Sequence, residues 1–291
     1  RYWADPSRGE QIDRRLRIDS KFDVDDMKSV LNDITSPFGE EYAPIFTENY
    51  TQGFSVEGDE IYNMLKGWDG VESIDSGATV AFHALYLHLV QNLFQDELYS
   101  FGNDSFDSFY SLKYIRSLAI RKIFDGEATL WVDNVSTDEK ETLNDIVNKS
   151  FHDAHVFLSE NYGNPKDLTW GQVHQVTYRH RLDGDPLVKR LINFSVGPYP
   201  MAGSGMTPRA ASYSVSKPFS VRAGSSMRRV IDFSNLDNGF SILPTGQSGL
   251  FRSKHYDDQT EMYNAGEFKP FKFSYEAIDN SKSSKLIFKS K

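Results

Sequence analysis

His152 and His155 are the first residues of this chain that raise a chemical question. Three apart on a stretch with helical spacing, two imidazoles could share a metal. Such a site needs about three or four ligands on one face, and no third is evident, so they read as helix-edge histidines. His83 and His88 are five apart and diverge on a helix, which makes a joint site poorer still. Ser214 and Lys217 match the Ser-x-x-Lys pattern in which lysine activates serine, but they lie in an alternating strand pattern without a companion motif. Gly246-Gln247-Ser248-Gly249-Leu250 misses the Gly-x-Ser-x-Gly nucleophile elbow at its last position. Gly203-Ser204-Gly205 could cradle an anion, yet the Gly-Lys-Ser/Thr end of a phosphate loop is absent. Both glycine-rich strings read better as tight turns. Taken alone, these residues make no complete active site, no metal site and no cofactor site.

The elements that must hold these residues follow from hydrophobic spacing. Ile12 and Leu16 mark one face of a helix from Ser7 to about Arg17, and Val24, Met27, Val30 and Leu31 mark another between Asp23 and Asp33. Val56 to Lys66 carries Ile61, Met64 and Leu65 before Gly67, a residue suited to a helix end. Ala78 to about Tyr99 is apolar nearly all round and predicts a helix buried in a bundle. Phe106 to Phe124 places Phe109, Leu112, Ile115, Leu118, Ala119 and Ile123 at helical spacing. Ser136 and Glu139 form a Ser-x-x-Glu capping box for a helix with the stripe Leu143, Ile146, Val147, Phe151, Ala154 and Leu158, ending near Gly163. Thr169 to Leu182 predicts a short helix.

From Gly197 to Gly205 the chain is turn chemistry, and alternation follows in 211–215 and 240–242, with Val230 to Phe233 a third strand. Asp258 and Glu261 form a capping box for a short helix near 258–266, and Phe271 to Ile278 is the last apolar stretch. The expected class is α+β. Residues 1–195 make a mainly helical lobe, 196–279 a strand-rich segment with antiparallel strands, and 280–291 a tail.

The length of 291 residues allows about two domains at roughly 150 residues each. With 39% hydrophobic and 25% charged residues, the composition excludes a disordered or collagenous chain. The 41 acids against 32 bases give a net charge of -9, which argues against nucleic acid or an anionic membrane as partner. With no cysteine, disulfides, thiolate metal sites and cysteine nucleophiles are all excluded. The most apolar stretch, Ala78 to Val90, is broken by two histidines and is too short to span a bilayer. Arg1-Tyr2-Trp3-Ala4-Asp5 has neither an initiator Met nor a signal-peptide pattern, and the chain is expected to be a piece of a longer protein.

Near the C-terminal end the spacing becomes distinctive. Leu243-Pro244-Thr245-Gly246-Gln247-Ser248-Gly249 is followed by Ser253-Lys254-His255-Tyr256-Asp257-Asp258-Gln259 and by Tyr263-Asn264-Ala265-Gly266. Upstream lie Ala4-Asp5-Pro6-Ser7-Arg8-Gly9-Glu10-Gln11-Ile12-Asp13, Trp68-Asp69-Gly70, Thr169-Trp170-Gly171-Gln172 and Arg228-Arg229-Val230-Ile231-Asp232. In this order, and over nearly the whole chain, the strings resemble the penicillin acylase (penicillin amidase) family of N-terminal-nucleophile hydrolases. The matched part is the C-terminal half of the large (beta) subunit. One departure is Thr207-Pro208-Arg209, where many relatives have Thr-Val-Asn.

The resemblance implies that strands from Ala210 to Leu243 complete the αββα core, while the helical lobe covers one side of an acyl pocket. It implies an amidohydrolase that cleaves an N-acylated small molecule, a β-lactam side chain or similar, with an N-terminal serine lying outside this chain. The oxyanion asparagine and any calcium ligands would lie outside it too, so no cofactor is expected within it. An acyl-homoserine-lactone acylase of the same fold, and a non-catalytic binding module derived from it, are the rival readings. By the same resemblance the protein is a self-cleaving precursor, periplasmic or secreted, and involved in antibiotic metabolism. Its partners would be the small subunit, the N-terminal half of the large subunit and a small N-acyl substrate, with no nucleic acid and no membrane. Arg8, followed by Ile12-Asp13, matches the family arginine that lies close to the nucleophile and the oxyanion asparagine. His255, Asp258 and Gln259 are expected to be structural, fastening the last helix against the 246–249 turn.

Overall fold

The charged segment that opens the chain folds as α1 (Ser7–Leu16), with Ser7 and Gln11 turned inward and Arg8, Glu10 and Arg14 in solvent. The computed structural model describes residues 5–18, 21–102, 104–281 and 287–289. The stretch before Asp5 and most of the tail expected after residue 280 lie outside them. Asp23 starts α2 (Val24–Leu31) through a reciprocal box. Its carboxylate accepts from the backbone N–H groups of Asp25 and Asp26, at 2.8 and 2.9 Å, while Asp26 accepts from that of Asp23.

A helix that the spacing does not announce follows as α3 (Pro37–Glu48). Its two prolines read as breakers, but Pro37 occupies the first turn, where no N–H is needed, and the Ser36 hydroxyl accepts from Gly39 N–H at 3.1 Å. Both α4 (Val56–Leu65) and α5 (Gly77–Ser100) lie where the pattern puts them, and α5 buries residues on every side. The stretch expected as one helix from Phe106 breaks at Leu112 into α6 (Ser105–Ser111) and α7 (Lys113–Phe124). The buried residues of α7 are Arg116, Ser117, Ile120 and Ile123, while Leu112 is 50% exposed, so the inward face is rotated from the apolar stripe.

The helix expected from Ser136 begins later, as α8 (Leu143–Asn161), because Thr142 and Asp145 form the capping box. Ser136 belongs instead to a loop that Asp133, Asn134 and Glu141 tie together. Only one helical turn, α9 (Trp170–Val173), survives of the helix expected from Thr169 to Leu182. The β-branched run that follows is β1 (Gln175–Tyr178), whose hydrogen bonds are completed by strands distant in sequence. Next come α10 (Pro186–Leu191), β2 (Val196–Pro200), β3 (Ala211–Ser214), β4 (Lys217–Gly224), β5 (Arg228–Val230) and β6 (Gly239–Ile242). The described chain ends with α11 (Thr260–Ala265), β7 (Lys269–Phe271) and α12 (Tyr275–Ser281). No side chain caps α11, because the Asp258 carboxylate expected to cap it is taken by His255 and Lys269.

The strands form two sheets. One has the order β2-β1-β4-β3, with β1 parallel and β3 antiparallel to β4, and the other is antiparallel, β5-β6-β7. The strands expected to serve one antiparallel sheet between Ala210 and Leu243 are therefore shared between two, the first of them mixed. The class is α+β. The division expected near residue 195 separates element types. By contacts the chain instead forms two interleaved units, one of residues 1–18, 33–177 and 197–224, the other of 19–32, 178–196 and 225–291.

The first unit packs α4 and α8 on α5 over an aromatic core in which Phe38 stacks on Tyr42 at 4.7 Å and Phe46 on Phe82 at 6.0 Å. The second joins α2 to β5, with the Lys28 ammonium 3.4 Å from the Phe240 ring centroid and Asn32 donating to the Gly266 carbonyl at 2.6 Å. There Asp237 accepts from the backbone N–H groups of Phe273 and Ser274 and from the Ser274 hydroxyl, which holds its carboxyl down at about 2. No helix among the described residues is long and apolar enough to cross a membrane.

Two histidines of the first unit are buried and held neutral. Burial pushes His174 down to about 3 and His88, beside Phe157, down to about 4. The unfolded chain binds these protons near 6.5, so the stability they confer is complete above about pH 6.5 and is lost as pH falls towards the folded values. At pH 5 the loss is roughly 2 kcal/mol for each. The melting temperature should therefore drop steeply between about pH 6.5 and 4.5, and His88→Leu should flatten that slope. A melting temperature constant over this range would contradict the assignment.

Candidate functional site

Arg8 lies in the first turn of α1, a helix that Asp33 fixes in place. Gln11 donates to the Asp33 carboxylate at 2.8 Å, Arg15 pairs with it at 3.5 Å, and Arg209 N–H donates to its carbonyl at 2.8 Å. These contacts orient α1 so that the Arg8 guanidinium is exposed, and it forms none of the ion pairs among the described residues. Asp5, a neighbour that could have paired with it, instead accepts from the Ser7 backbone and hydroxyl. Arg209, in the string that departs from the family pattern, is a buried anchor of this corner, 7% exposed.

In the second unit, His255, Asp258 and Gln259 surround the 246–249 turn. His255 Nδ1 lies 3.0 Å from the Asp258 carboxylate, and the Gln259 side chain accepts from Leu243 N–H at 3.1 Å. Gly246 N–H donates to the Tyr256 carbonyl at 2.7 Å and Ser248 N–H to that of His255 at 3.0 Å. A Cβ on Gly246 would stand 1.8 Å from the His255 carbonyl oxygen, so only glycine fits this crossing. Ser248 uses its hydroxyl to accept from Leu250 N–H, with no strand-to-helix elbow around it.

The remaining candidates separate. His152 and His155 face Glu57 and Glu60 at 3.6 Å each, and no group of three or more His, Asp or Glu among the described residues could hold a metal. Ser214 contacts the Ser216 hydroxyl at 3.0 Å and pairs with Lys217 only across the β3–β4 backbone. The Gly203-Ser204-Gly205 turn leaves no cradle at its start. Gly203 N–H donates to the Glu72 carbonyl, Ser204 N–H to the Thr207 hydroxyl, and Met206 N–H to the Ser204 hydroxyl.

His83 and His88 do not meet, but His83 belongs to a polar cluster that linear spacing hides. Its Nε2 lies 3.1 Å from the fully buried Glu72 carboxylate and its Nδ1 3.0 Å from the Tyr213 hydroxyl. A carboxylate can only accept, so Nε2 carries the proton and Tyr213 donates to Nδ1. Burial raises Tyr213 well above the usual phenol value, which keeps it protonated. Trp170 lies flat between two imidazoles, 4.6 Å from His83 and 4.2 Å from His174, and its Nε1 donates to the Gly203 carbonyl at 3.0 Å. His174 Nδ1 donates to the Phe219 carbonyl at 2.6 Å, across a residue held at φ 64°. A phenol kept neutral and already donating is a poor nucleophile, and the contacts of this cluster hold backbone in place. The sequence signal for it is His83, one of two histidines that interrupt the apolar first half of α5.

The turn and the His255 group can be weighed separately in the longer protein. Gly246→Ala should cost on the order of 3 kcal/mol or more, seen as a large fall in melting temperature. His255→Ala, at an exposed pair, should cost at most about 1 kcal/mol and leave turnover per folded molecule near wild type. A large loss of turnover by His255→Ala with an unchanged melting temperature would make His255 a reacting group.

The family model described as penicillin amidase matches residues 1–280. Acyl-homoserine lactone acylase QuiP of Pseudomonas aeruginosa is 22% identical over 98% of this chain and 36% of its own length. The protein of the same name from Pseudomonas syringae pv. syringae is 24% identical over 92% of this chain and 34% of its own. The structure of the thermostable penicillin G acylase from Alcaligenes faecalis superposes with a TM-score of 0.59 at 16% identity, covering 97% of this chain and 52% of that one. The chain thus spans about a third of the length of these curated relatives, and over nearly all of that span it belongs to the penicillin amidase family.

Proposed function

We propose that this chain is part of an amidohydrolase that cleaves the amide bond of an N-acylated small molecule, a β-lactam side chain or a similar linear amide. The observation that carries this reading is the family match over residues 1–280. Serine at the N-terminus of a large subunit, outside this chain, attacks the amide carbonyl, and its own α-amino group accepts the proton through water. Preorganised donors hold the tetrahedral oxyanion, the amine leaves, and water releases the acyl group. Any calcium in the longer protein belongs to residues outside this chain. The reading includes a self-cleaving precursor in the periplasm or outside the cell, acting in antibiotic metabolism.

Acyl-homoserine lactone as substrate is favoured by one observation, the names of the curated relatives. The full-length protein should release acid from a phenylacetyl anilide or from an N-acyl-homoserine lactone, and the substrate turned over faster decides between the two. The present chain alone should turn over neither, because nucleophile and base are absent together. Turnover by this chain, abolished by a serine-directed inhibitor, would reveal a site within it. Inactivity of the full-length protein on both substrates would favour a binding module.

Within this reading Arg8 supports the site. Its exposure leaves the guanidinium fork available to groups outside this chain, where it orients the oxyanion asparagine and, by repulsion, favours the neutral α-amine. Lysine keeps the charge without the fork, so Arg8→Lys should lower turnover about tenfold or more, equivalent to about 1.4 kcal/mol of transition-state stabilisation. Wild-type turnover in that variant would end the assignment.

A further inference from the structure

Arg116 is a cation inside the first unit that pairs with no anion among the described residues. It is 5% exposed, on the inward face of α7, with its guanidinium carbon 5.8 Å from the Tyr86 ring centroid and 5.4 Å from that of Tyr110. Its Nε and Nη1 have no hydrogen-bond partner, and it forms none of the ion pairs among the described residues. A guanidinium keeps its charge when buried, and contact with ring faces offsets only part of the cost of taking that charge out of water. Such a charge calls for a counterion.

The surroundings supply the rest of a receptor. Tyr86 Oη and Ser117 Oγ, on side chains 2% and 0% exposed, are also unpartnered, and with Arg116 they line a cavity of about 40 Å³. The Glu72–His83–Tyr213 cluster stiffens its wall, since His83 and Tyr213 line it while bonded to each other. The volume admits roughly three waters or one small polar group, and no acyl chain. Asp5 reaches the same cavity, but its Oδ1 is held by Ser7, its Oδ2 is unpartnered, and it makes no ion pair with Arg116. One acid at the rim disfavours a doubly charged phosphate and leaves a single negative charge as the match.

We propose that this cavity binds one carboxylate group, which accepts from the Arg116 guanidinium and from the Tyr86 and Ser117 hydroxyls. Two sources carry that group, a small free carboxylate or an acidic side chain of the longer protein outside this chain. The full-length protein is the material for the test. Thermal unfolding is followed in sodium acetate against sodium chloride at equal ionic strength, for wild type, Arg116→Gln, Tyr86→Phe and Ser117→Ala, and a crystal structure is determined in acetate.

If the source is free, acetate raises the wild-type melting temperature by about 2 °C or more, with a smaller rise in each variant. If the source is internal, the wild-type response is flat and the crystal structure places a carboxylate from outside this chain on Arg116. Acetate then stabilises the protein only after that residue is changed to its amide. The Tyr86→Phe and Ser117→Ala variants keep the test decisive should Arg116→Gln fail to fold. The proposal is overturned by a structure with water, carbonyls or Asp5 alone on Arg116, or by an acetate-induced rise of the same size in wild type and all three variants.

Discussion

Trp170 sandwiched between two imidazoles is the contact on which the first unit depends. Its ring is fully buried, its backbone N–H donates to the Ser76 carbonyl at 3.1 Å, and its indole N–H holds the Gly203 carbonyl. His83 brings α5 to one face of the ring, and His174 brings the start of β1 and, through Phe219, β4 to the other. A helix, two strands and a glycine turn thus converge on one side chain. Gly203 can take part because it adopts φ 79° where a Cβ would stand 2.5 Å from the Arg209 carbonyl. The neutrality of His174 belongs to the same arrangement, since a charged imidazole pressed against an indole in a dry core would have no solvation.

Sequence periodicity exposes the long elements well and the short ones poorly. The long, largely apolar run of α5 and the stripe of α8 survive errors of a residue or two, because many positions vote on the element. The start of α8 is ambiguous in the sequence because Ser136-x-x-Glu139 and Thr142-x-x-Asp145 are equally good boxes on paper, and only the loop around Asn134 distinguishes them. In α7 the spacing of Leu112, Ile115 and Leu118 drew the inward face through residues that remain partly exposed, and so hid Arg116. The run at Thr169 contains β1, which exists through its pairing with Val221 of β4, information no local window holds.

The functional residues divide along the same line. The strings around Arg8, Trp170, Gly246 and His255 are contiguous, and Gly246 stands at a crossing that no other residue fits, so they remain recognisable as text. The cavity at Arg116 is assembled from Asp5, α5, α7, the turn at 204–206 and β3, each contributing a few ordinary residues. Sequence proximity pairs His83 with His88, whereas its partners in the fold are Glu72 and Tyr213. Polar clusters built across distant segments are visible only after folding.

The interleaving of the two units bears on the order in which the chain can acquire structure. Asn32 and Gly266, bonded in the second unit, are 234 positions apart. The residues of α2 therefore emerge from the ribosome long before β5, β6 and α11 exist, and nearly all of the first unit is synthesised in between. Closing so long a loop has an entropic cost that is met only when the late contacts form, which makes the second unit slow to fold and dependent on the completed chain. During that interval α2, with Val24, Met27 and Val30 on its apolar side, is without the strand it packs against, and exposed surface of this kind is what chaperones bind and what aggregation begins from.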